Sequence, residues 1–507
     1  MVAKVILLIV FFAMMIGVGL YSRKHTNSVN DFVLGGRSVG PWLTAFAFGT
    51  SYFSSVVFVG YAGQFGWKFG LASTFIGLGN ALIGSLLAWV VLGRRTRVMT
   101  QHLETKTMPE FFGKRFDSNA LKLVASVIVF VFLVPYTASI YNGLSNLFGM
   151  AFNIDYKICV IAMAALTGVY VIVGGYMATA INDFIQGIIM LVGIAAVIIA
   201  VINGQGGFYA AVKELAKIPS ESAVTLGQQG AYASFFGPEP LSLLSVVILT
   251  SLGTWGLPQM VHKFYAIKDE KSIKTGTVIS TIFAVVVAGG SYFLGGFARL
   301  FEDKATYADG KLQFDSLIPG MLSTLPDLLI GIVVVLVLSA SMSTLSSLVM
   351  TSSSTLTLDL IKGTIVKNLS EKKQVFLMRV FIAVFIIVSV VLALDPPTFI
   401  AQLMGISWGA LAGAFLAPFM YGLYCKWVTK AAVWASFITG VTITVANMFF
   451  NFFENTIIAG AVAMIASLVV VPVVSLVTPK LKEVFVGDVF KCYDKQVVVS
   501  SKKSLEK

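Results

Sequence analysis

Long apolar stretches separated by short polar connections follow one another along the whole chain. Most run for roughly 18 to 25 residues, the length of a helix that crosses a hydrocarbon core about 30 Å thick. Because a segment in lipid must satisfy its own backbone groups, these continuously apolar stretches predict α-helices rather than the alternating strands of a β-barrel. The predicted spans, about thirteen, lie near residues 3–21, 43–65, 71–93, 121–148, 156–174, 181–203, 240–262, 273–297, 327–357, 375–394, 398–425, 430–451 and 456–478.

Basic residues are concentrated in alternate connections and in the tail. The connections after the first, third, seventh, ninth and eleventh spans, together with the segment after Pro479, hold 28 of the 36 lysines and arginines. By the positive-inside rule these segments are cytoplasmic, so the N-terminus lies outside and the C-terminus inside a cell membrane. An odd number of spans requires the same arrangement. The two longest loops, 204–239 and 298–326, are then external.

Composition supports a membrane protein and excludes several other classes. Hydrophobic residues make up 57% of the chain and charged residues only 12%, about half the share in a soluble protein. The bilayer explains the net charge of +12 better than a nucleic acid does. The three cysteines and three histidines lack metal-ligand spacing, and no histidine lies near a membrane centre to activate a serine. We therefore expect neither a metal cluster nor an enzyme.

Two predicted spans are interrupted by glycine, proline and hydroxyl residues. The stretch 49–55 reads Gly-Thr-Ser-Tyr-Phe-Ser-Ser, and the stretch 250–258 contains two glycines, a proline and three hydroxyl residues. Interrupted helices at matching positions in two halves of a chain are typical of the central site of a transporter. The alternative is that small residues simply allow close helix packing.

The ninth span is rich in serine and threonine. Ala340, Ser343, Thr344 and Ser347 recur at helical spacing and therefore share one face. Their hydroxyls are able to ligate a hard cation, and so is the Ala340 carbonyl if the hydroxyls distort the helix. Hydrogen bonding between helices is the alternative function for the same face.

Asp183 is one of few acidic residues within an apolar stretch. It begins the sixth predicted span near the cytoplasmic face, beside Asn182 and Gln186. Such a carboxylate either caps the helix N-terminus or provides an anionic ligand for a cation.

Four separated blocks resemble the sodium:solute symporter family, whose members carry proline, galactose, pantothenate, sialic acid and monocarboxylates. The blocks are 32–41, 174–187, 342–346 and 408–426. The resemblance covers about residues 5–445 and implies an all-α leucine-transporter-like fold with two inverted five-helix repeats. The implied parts are an N-terminal helix and loop (1–42), the first repeat (43–203), an external loop (204–239), the second repeat (240–425), two C-terminal helices (426–478) and a cytoplasmic tail (479–507).

The resemblance also implies a sodium site shared by the family. Its positions correspond to the carbonyls of Thr50, Phe53 and Ala340 and to the hydroxyls of Ser343 and Thr344. Neutral oxygens of this kind suit a hard cation such as sodium.

Some family members bind a second sodium ion closer to the cytoplasm. The matching positions are Asp183, Ser343, Ser346 and Ser347, and all four carry oxygen-bearing side chains. Coupling to two sodium ions is therefore a hypothesis for this chain.

The expected solute site lies between the second and seventh spans and is uncharged. Its candidate residues are Ser51, Tyr52, Ser54, Ser55, Asn80, Thr250, Ser251, Thr254 and Trp255. The sodium/proline branch has aromatic residues in place of Thr250 and Thr254 and an acid in place of Tyr52. The sialic acid branch has an arginine that is absent from residues 134–142 here.

The predicted function is import of a small organic solute with sodium by alternating access, with no obligate protein partner. The solute stays open between a monocarboxylate, an amino acid such as proline, sialic acid and a sugar. The alternatives are a proton-coupled carrier of the same fold, which would need titratable groups near the membrane centre, and a transporter-like sensor, which would need a signalling domain.

Overall fold

The computed structural model describes residues 2–23, 28–366 and 369–494, and helices form most of it. Some residues used in the charge analysis lie outside these ranges. They are Lys24, Lys367, Lys495, Lys502, Lys503 and Lys507.

The α-helices are α1 (Val2–Arg23), α2 (Val29–Leu34), α3 (Pro41–Tyr52), α4 (Ala62–Phe69), α5 (Thr74–Gly79), α6 (Arg94–His102), α7 (Met108–Arg115), α8 (Asn119–Phe152), α9 (Tyr156–Gly204), α10 (Phe208–Lys217), α11 (Pro240–Gly256), α12 (Pro258–Ala266), α13 (Glu270–Ala284), α14 (Gly290–Gly295), α15 (Leu317–Leu322), α16 (Asp327–Thr355), α17 (Glu371–Leu394), α18 (Ile400–Tyr424), α19 (Lys430–Phe450), α20 (Thr456–Val477) and α21 (Glu483–Phe490). Wider π-type turns extend several of them, at Val56–Tyr61, Asn80–Leu87, Trp89–Gly93, Val285–Gly289 and Leu356–Ile365. Short 3₁₀ segments lie at Gly35–Arg37, Gly70–Ser73, Ala231–Ala233, Ala298–Lys304, Phe314–Ser316 and Lys491–Asp494. A short hairpin pairs β1 (Tyr307–Ala308) with β2 (Lys311–Leu312).

The all-α membrane fold is confirmed. Among the described residues, ten helices are long and apolar enough to cross a membrane, or eleven if the bent pair α11–α12 counts as one span. Every predicted span coincides with helix, but some are divided and others are joined. The number thirteen stays a prediction.

Gly175 joins two predicted spans that were expected to be separated by a connection near 175–180. Helix α9 runs through both and changes direction at this residue, which has φ 61° and ψ −168°. That backbone conformation is open essentially to glycine alone. Because one residue makes the turn, no loop is needed, and Asp183 lies two helical turns beyond the kink rather than at the start of a helix.

The helix that begins with α3 is broken at the predicted position. It ends at Tyr52, Phe53 takes an extended conformation (φ −96°, ψ 120°), and helical structure resumes at Val56. The carbonyl of Ser54 accepts hydrogen bonds of 3.0 Å from the amides of Val57 and Phe58, so the second half has its own start. The break leaves carbonyls of the last turn of α3 free of helical partners.

A second break separates α11 from α12. Leu257 is extended, and the two helices meet at an angle of 46°. Pro258 begins α12, where its missing N–H is no loss.

The serine-rich helix α16 lies at the centre of the molecule. It packs against α1, α3, α8, α9 and α17, and nearly all its residues after Ile330 are buried. Helix α18 packs against α8, α11, α19 and α20 on the other side.

Helices α4 and α14 touch through their backbones. A Cβ atom at Gly66 would lie 1.9 Å from the carbonyl oxygen of Gly295, and one at Gly295 would lie 2.1 Å from that of Ala62. Only glycine fits at this crossing.

Candidate functional site

Five oxygens converge where the break after α3 faces the middle of α16. The hydroxyl of Ser343 lies 3.0 Å from the carbonyl oxygen of Thr50 and 2.9 Å from that of Ala340. The hydroxyl of Thr344 lies 3.1 Å from both of these oxygens and 3.4 Å from that of Phe53. All five residues are buried.

These separations are hydrogen-bond distances, and they also allow the same oxygens to ligate one cation. Oxygens lie about 2.3–2.6 Å from Ca²⁺, an ion close to sodium in radius, and the same distances are reasonable for sodium. Neighbouring ligands about 3 Å apart then subtend roughly 70° to 80° at the ion. The structure thus brings together all five residues expected at the first sodium site.

The predicted solute residues of the second broken helix contact the helical segment Asn80–Leu87. The hydroxyl of Ser251 donates to Asn80 Oδ1 (3.2 Å), that of Thr254 to the Gly84 carbonyl (2.9 Å), and Trp255 Nε1 to the Ile83 carbonyl (2.9 Å). In this conformation these three polar groups hold two helices together.

The two breaks are linked by Tyr52, whose hydroxyl donates to the Thr250 carbonyl across 3.0 Å. The other candidates from the first break face α8 and α16. Ser55 donates from its hydroxyl to the Ile140 carbonyl (3.0 Å) and from its amide to Ser341 Oγ (3.1 Å). Ser51 Oγ lies 2.8 Å from Ser347 Oγ, and Ser54 Oγ accepts from the Val56 amide (3.2 Å).

Several buried polar atoms around Tyr52 form no well-aligned hydrogen bond with a described residue, although Tyr136 lies within reach of Ser54 and Trp408, and Tyr292 within reach of Asn80. They are the hydroxyls of Tyr61, Tyr136 and Tyr292, Nε1 of Trp408 and Nδ2 of Asn80. The ring of Trp408 lies 5.8 Å from that of Tyr52 and 6.0 Å from that of Tyr136. Unsatisfied buried donors are rare in proteins and indicate a place for water or a ligand.

Two of the four residues expected at a second sodium site, Asp183 and Ser347, contact a lysine instead of each other. Lys263, on α12, lies with its Nζ 2.9 Å from Ser347 Oγ and 3.8 Å from Asp183 Oδ2. The side chains of Lys263 and Asp183 are 3% and 0% exposed. Ser346 donates to the Ser343 carbonyl (2.8 Å), within its own helix.

The family model of the sodium:solute symporter family matches residues 32–440. The chain belongs to this family.

Curated relatives of this sodium:solute symporter cover most of its length. A sodium/proline symporter of Staphylococcus aureus (strain JH9) is 30% identical over 510 residues, which cover 94% of this chain and 93% of the relative. The osmoregulated proline transporter OpuE of Bacillus subtilis (strain 168) is 29% identical over 434 residues, covering 85% and 86%. The symporter is thus similar to carriers of proline.

Solved structures show the same leucine-transporter-like fold. A sodium-coupled sialic acid symporter in a substrate-bound outward-open state superposes with a TM-score of 0.77 at 16% identity, covering 95% of this chain and 98% of the other. Mhp1, a nucleobase-cation-symport-1 family transporter, gives 0.51 at 12% identity, covering 90% and 97%.

The glycine–arginine loop of the symporter is hydrogen-bonded to neighbouring elements at one polar end of the helix bundle. Arg37 donates to the carbonyls of Thr105 (2.6 Å) and Tyr265 (3.1 Å), and so connects the loop to the end of α12. Burial lowers the pKa of its guanidinium to about 10, which leaves it charged at neutral pH.

A cavity of about 930 Å³ opens at the other end of the symporter. Its wall includes Asn142 and Asn146 of α8 and Asp315 of the loop before α15. Helix α8 therefore lines this cavity and also contacts the first helix break, where its Ile140 carbonyl accepts from Ser55.

Four residues near the centre were missed in the sequence: Tyr61, Tyr136, Trp408 and Lys263. A tyrosine or tryptophan far from a membrane interface is a usable signal, because these residues prefer the interface. Lys263 was counted only as a cytoplasmic charge. Its position five residues after Pro258, inside an apolar run, was the available signal.

Proposed function

We propose that this symporter imports a small zwitterionic amino acid together with sodium, with proline as the first candidate. The observation that carries the proposal is the set of five neutral oxygens between the broken helix and α16. Sodium would bind Thr50, Phe53, Ala340, Ser343 and Thr344.

The hydrogen bonds within this set are compatible with ion binding. The hydroxyls of Ser343 and Thr344 point their donors at carbonyls that would face the ion, so each would rotate its hydrogen away and offer a lone pair. Sodium would then connect α3 to α16 directly. Loss of the ion to a low-sodium cytoplasm would weaken this connection and favour opening on the inner side.

The unpartnered donors support a solute with a carboxylate. The phenol of Tyr136, the indole of Trp408 and the amide of Asn80 are all able to donate to an anionic oxygen. The aromatic faces of Tyr52 and Trp408 suit a cationic amino group. A zwitterion such as proline would use both kinds of contact, whereas a sugar would leave the aromatic faces without a cation.

The departures from the sodium/proline branch include two residues that contact each other. That branch has aromatic residues in place of Thr250 and Thr254 and an acid in place of Tyr52. Here the hydroxyl of Tyr52 donates to the backbone carbonyl of Thr250, and the Thr250 hydroxyl donates to the Val246 carbonyl of its own helix.

The cycle would be alternating access between two repeats, 43–203 and 240–425, each opening with a broken helix. Residues 1–42, 204–239, 426–478 and 479–507 would serve as the N-terminal helix and loop, the external loop, the C-terminal helices and the cytoplasmic tail. The 930 Å³ cavity would then be the external route to the site.

The deciding experiment is uptake of radiolabelled proline by purified protein in proteoliposomes. An inward sodium gradient should stimulate uptake, and replacing sodium with choline at constant pH should abolish it. Undiminished uptake in choline would contradict sodium coupling, and stimulation by an imposed proton gradient would favour the proton-coupled alternative. Uptake of pyruvate but not of proline would contradict the proposal that the solute is an amino acid.

A matched pair of tyrosine variants tests the solute site. Tyr136→Phe removes an unpartnered donor and should raise the KM for proline about fivefold, the effect of roughly 1 kcal/mol. Tyr421→Phe removes a hydroxyl that donates to the Leu468 carbonyl (3.1 Å), between α18 and α20, and should leave the KM unchanged. Equal KM values for proline in the two variants would show that Tyr136 does not contribute to the solute site.

A further inference from the structure

We propose that the ammonium group of Lys263 takes the place of a second sodium ion, so that this carrier moves its solute with a single sodium ion. The inference rests on the proposed sodium-coupled function. It replaces the two-ion hypothesis with a fixed, covalently attached cation at the same position.

The lysine lies among the groups that would otherwise hold the ion. Its Nζ is 2.9 Å from Ser347 Oγ and 3.8 Å from Asp183 Oδ2. Ser347 Oγ is in turn 2.8 Å from Ser51 Oγ. Since all four side chains are buried, the positive charge and its carboxylate are removed from water together.

The lysine joins the same structural elements that a bound ion would join. Lys263 belongs to α12, Asp183 to α9, Ser347 to α16 and Ser51 to the last turn of α3. Ser347 is one helical turn from Ser343, so this second charge lies next to the proposed sodium site. The lysine therefore connects helices through its positive charge, as the proposed sodium ion would connect α3 to α16 around Thr50.

A sodium ion and the ammonium group would exclude each other here. Two cations sharing one carboxylate in a buried site repel strongly, because little water screens them. If sodium displaced the lysine, the ammonium would need another counter-ion inside the bundle. The face of Tyr176, 5.4 Å from Nζ, offers only a weaker cation–π contact.

The attached charge differs from an ion in one respect. It is not released into the cytoplasm at the end of a cycle, so it contributes no free energy from the sodium gradient. Transport of a zwitterion should thus carry one positive charge inward per molecule.

The test is equilibrium binding of radioactive sodium to the purified full chain, without solute. The wild type should bind one sodium ion. Lys263→Ala and Lys263→Gln free the carboxylate of Asp183 and should bind two, whereas Lys263→Arg keeps a cation and should bind one. Thermal melting of each variant verifies that it is folded.

The wild-type value by itself is able to overturn the inference, even if the neutral variants do not fold. Two sodium ions in the wild type, falling to one in Asp183→Asn, would show that the ion coexists with the lysine. One ion in folded Lys263→Ala would equally refute it. Absence of any saturable sodium binding in the wild type would overturn the sodium-coupled function as well, which distinguishes the two failures.

Discussion

At the residue scale, the central feature is how few charges the site uses. The proposed sodium ligands are carbonyls and hydroxyls, and the buried charges nearby, Asp183 and Lys263, face each other. A neutral set of ligands binds a monovalent cation weakly enough to release it, which a carrier requires. Each hydroxyl in such a set should then have a measurable effect on sodium affinity.

Ser343→Ala and Thr344→Ala each remove one proposed ligand oxygen. Loss of a contact to a charged group costs about 1.5–3 kcal/mol, so the sodium concentration for half-maximal uptake should rise about tenfold or more. The measurement is uptake against sodium concentration in proteoliposomes. Ser354→Ala is the control, because among the described residues that buried hydroxyl donates to the Thr351 carbonyl of its own helix and not to the site. Wild-type sodium affinity in both site variants would show that the ion binds elsewhere.

Asp315 predicts a dependence of stability on pH. Burial raises the pKa of this carboxyl to about 7, although the amide of Ile400 donates to it. Between about pH 4 and 7 the folded chain therefore keeps a proton that the unfolded chain has lost. The stabilisation of the folded chain by this proton decreases over that range and is lost as pH rises through 7.

Thermal stability of the purified protein should accordingly fall between about pH 4 and 7, and Asp315→Asn should remove that part of the fall. Asp309→Asn, in the exposed turn of the β1–β2 hairpin, should leave the pH profile as it is in the wild type. A profile unchanged by Asp315→Asn would contradict the assignment.

At the scale of elements, apolar length and hydroxyl spacing were sufficient to predict where helices form and where two of them break. The face of Ala340, Ser343 and Thr344 followed from helical periodicity, and the structure brings that face to the first break. The contact between Asp183 and Lys263 could not be predicted from the sequence, because the two residues are 80 positions apart and only tertiary packing brings them together. Likewise, hydropathy could not show that spans five and six meet at a single kinked residue without a connecting loop.

The kink in α9 depends on Gly175. Gly175→Ala places a side chain on a residue with φ 61° and ψ −168°, and should destabilise the folded protein by about 1–3 kcal/mol. The measurement is the midpoint of thermal unfolding in detergent. Gly204→Ala is the matched control, since in the described structure an added Cβ there meets no atom within 4 Å. Equal midpoints for the two variants would mean that α9 adopts the kink without needing glycine.

At the scale of the whole molecule, the uneven distribution of basic residues predicts the orientation in the membrane. In a background with Cys159, Cys425 and Cys492 replaced by serine, Gly310→Cys in the hairpin turn should react with a membrane-impermeant maleimide in intact cells. Lys491→Cys in the tail should react only after the cells are opened. The reverse pattern would invert the proposed topology and make the 930 Å³ cavity cytoplasmic.

The backbone contact between Gly66 and Gly295 limits how the protein moves. With no side chains between them, α4 and α14 have no layer along which to slide, so we expect the two to move together. Tilting of α4 during transport would therefore carry α14 with it. The extended residue Phe53 lies at the break before α4, so a sodium ion bound there would lie beside the pivot of that motion.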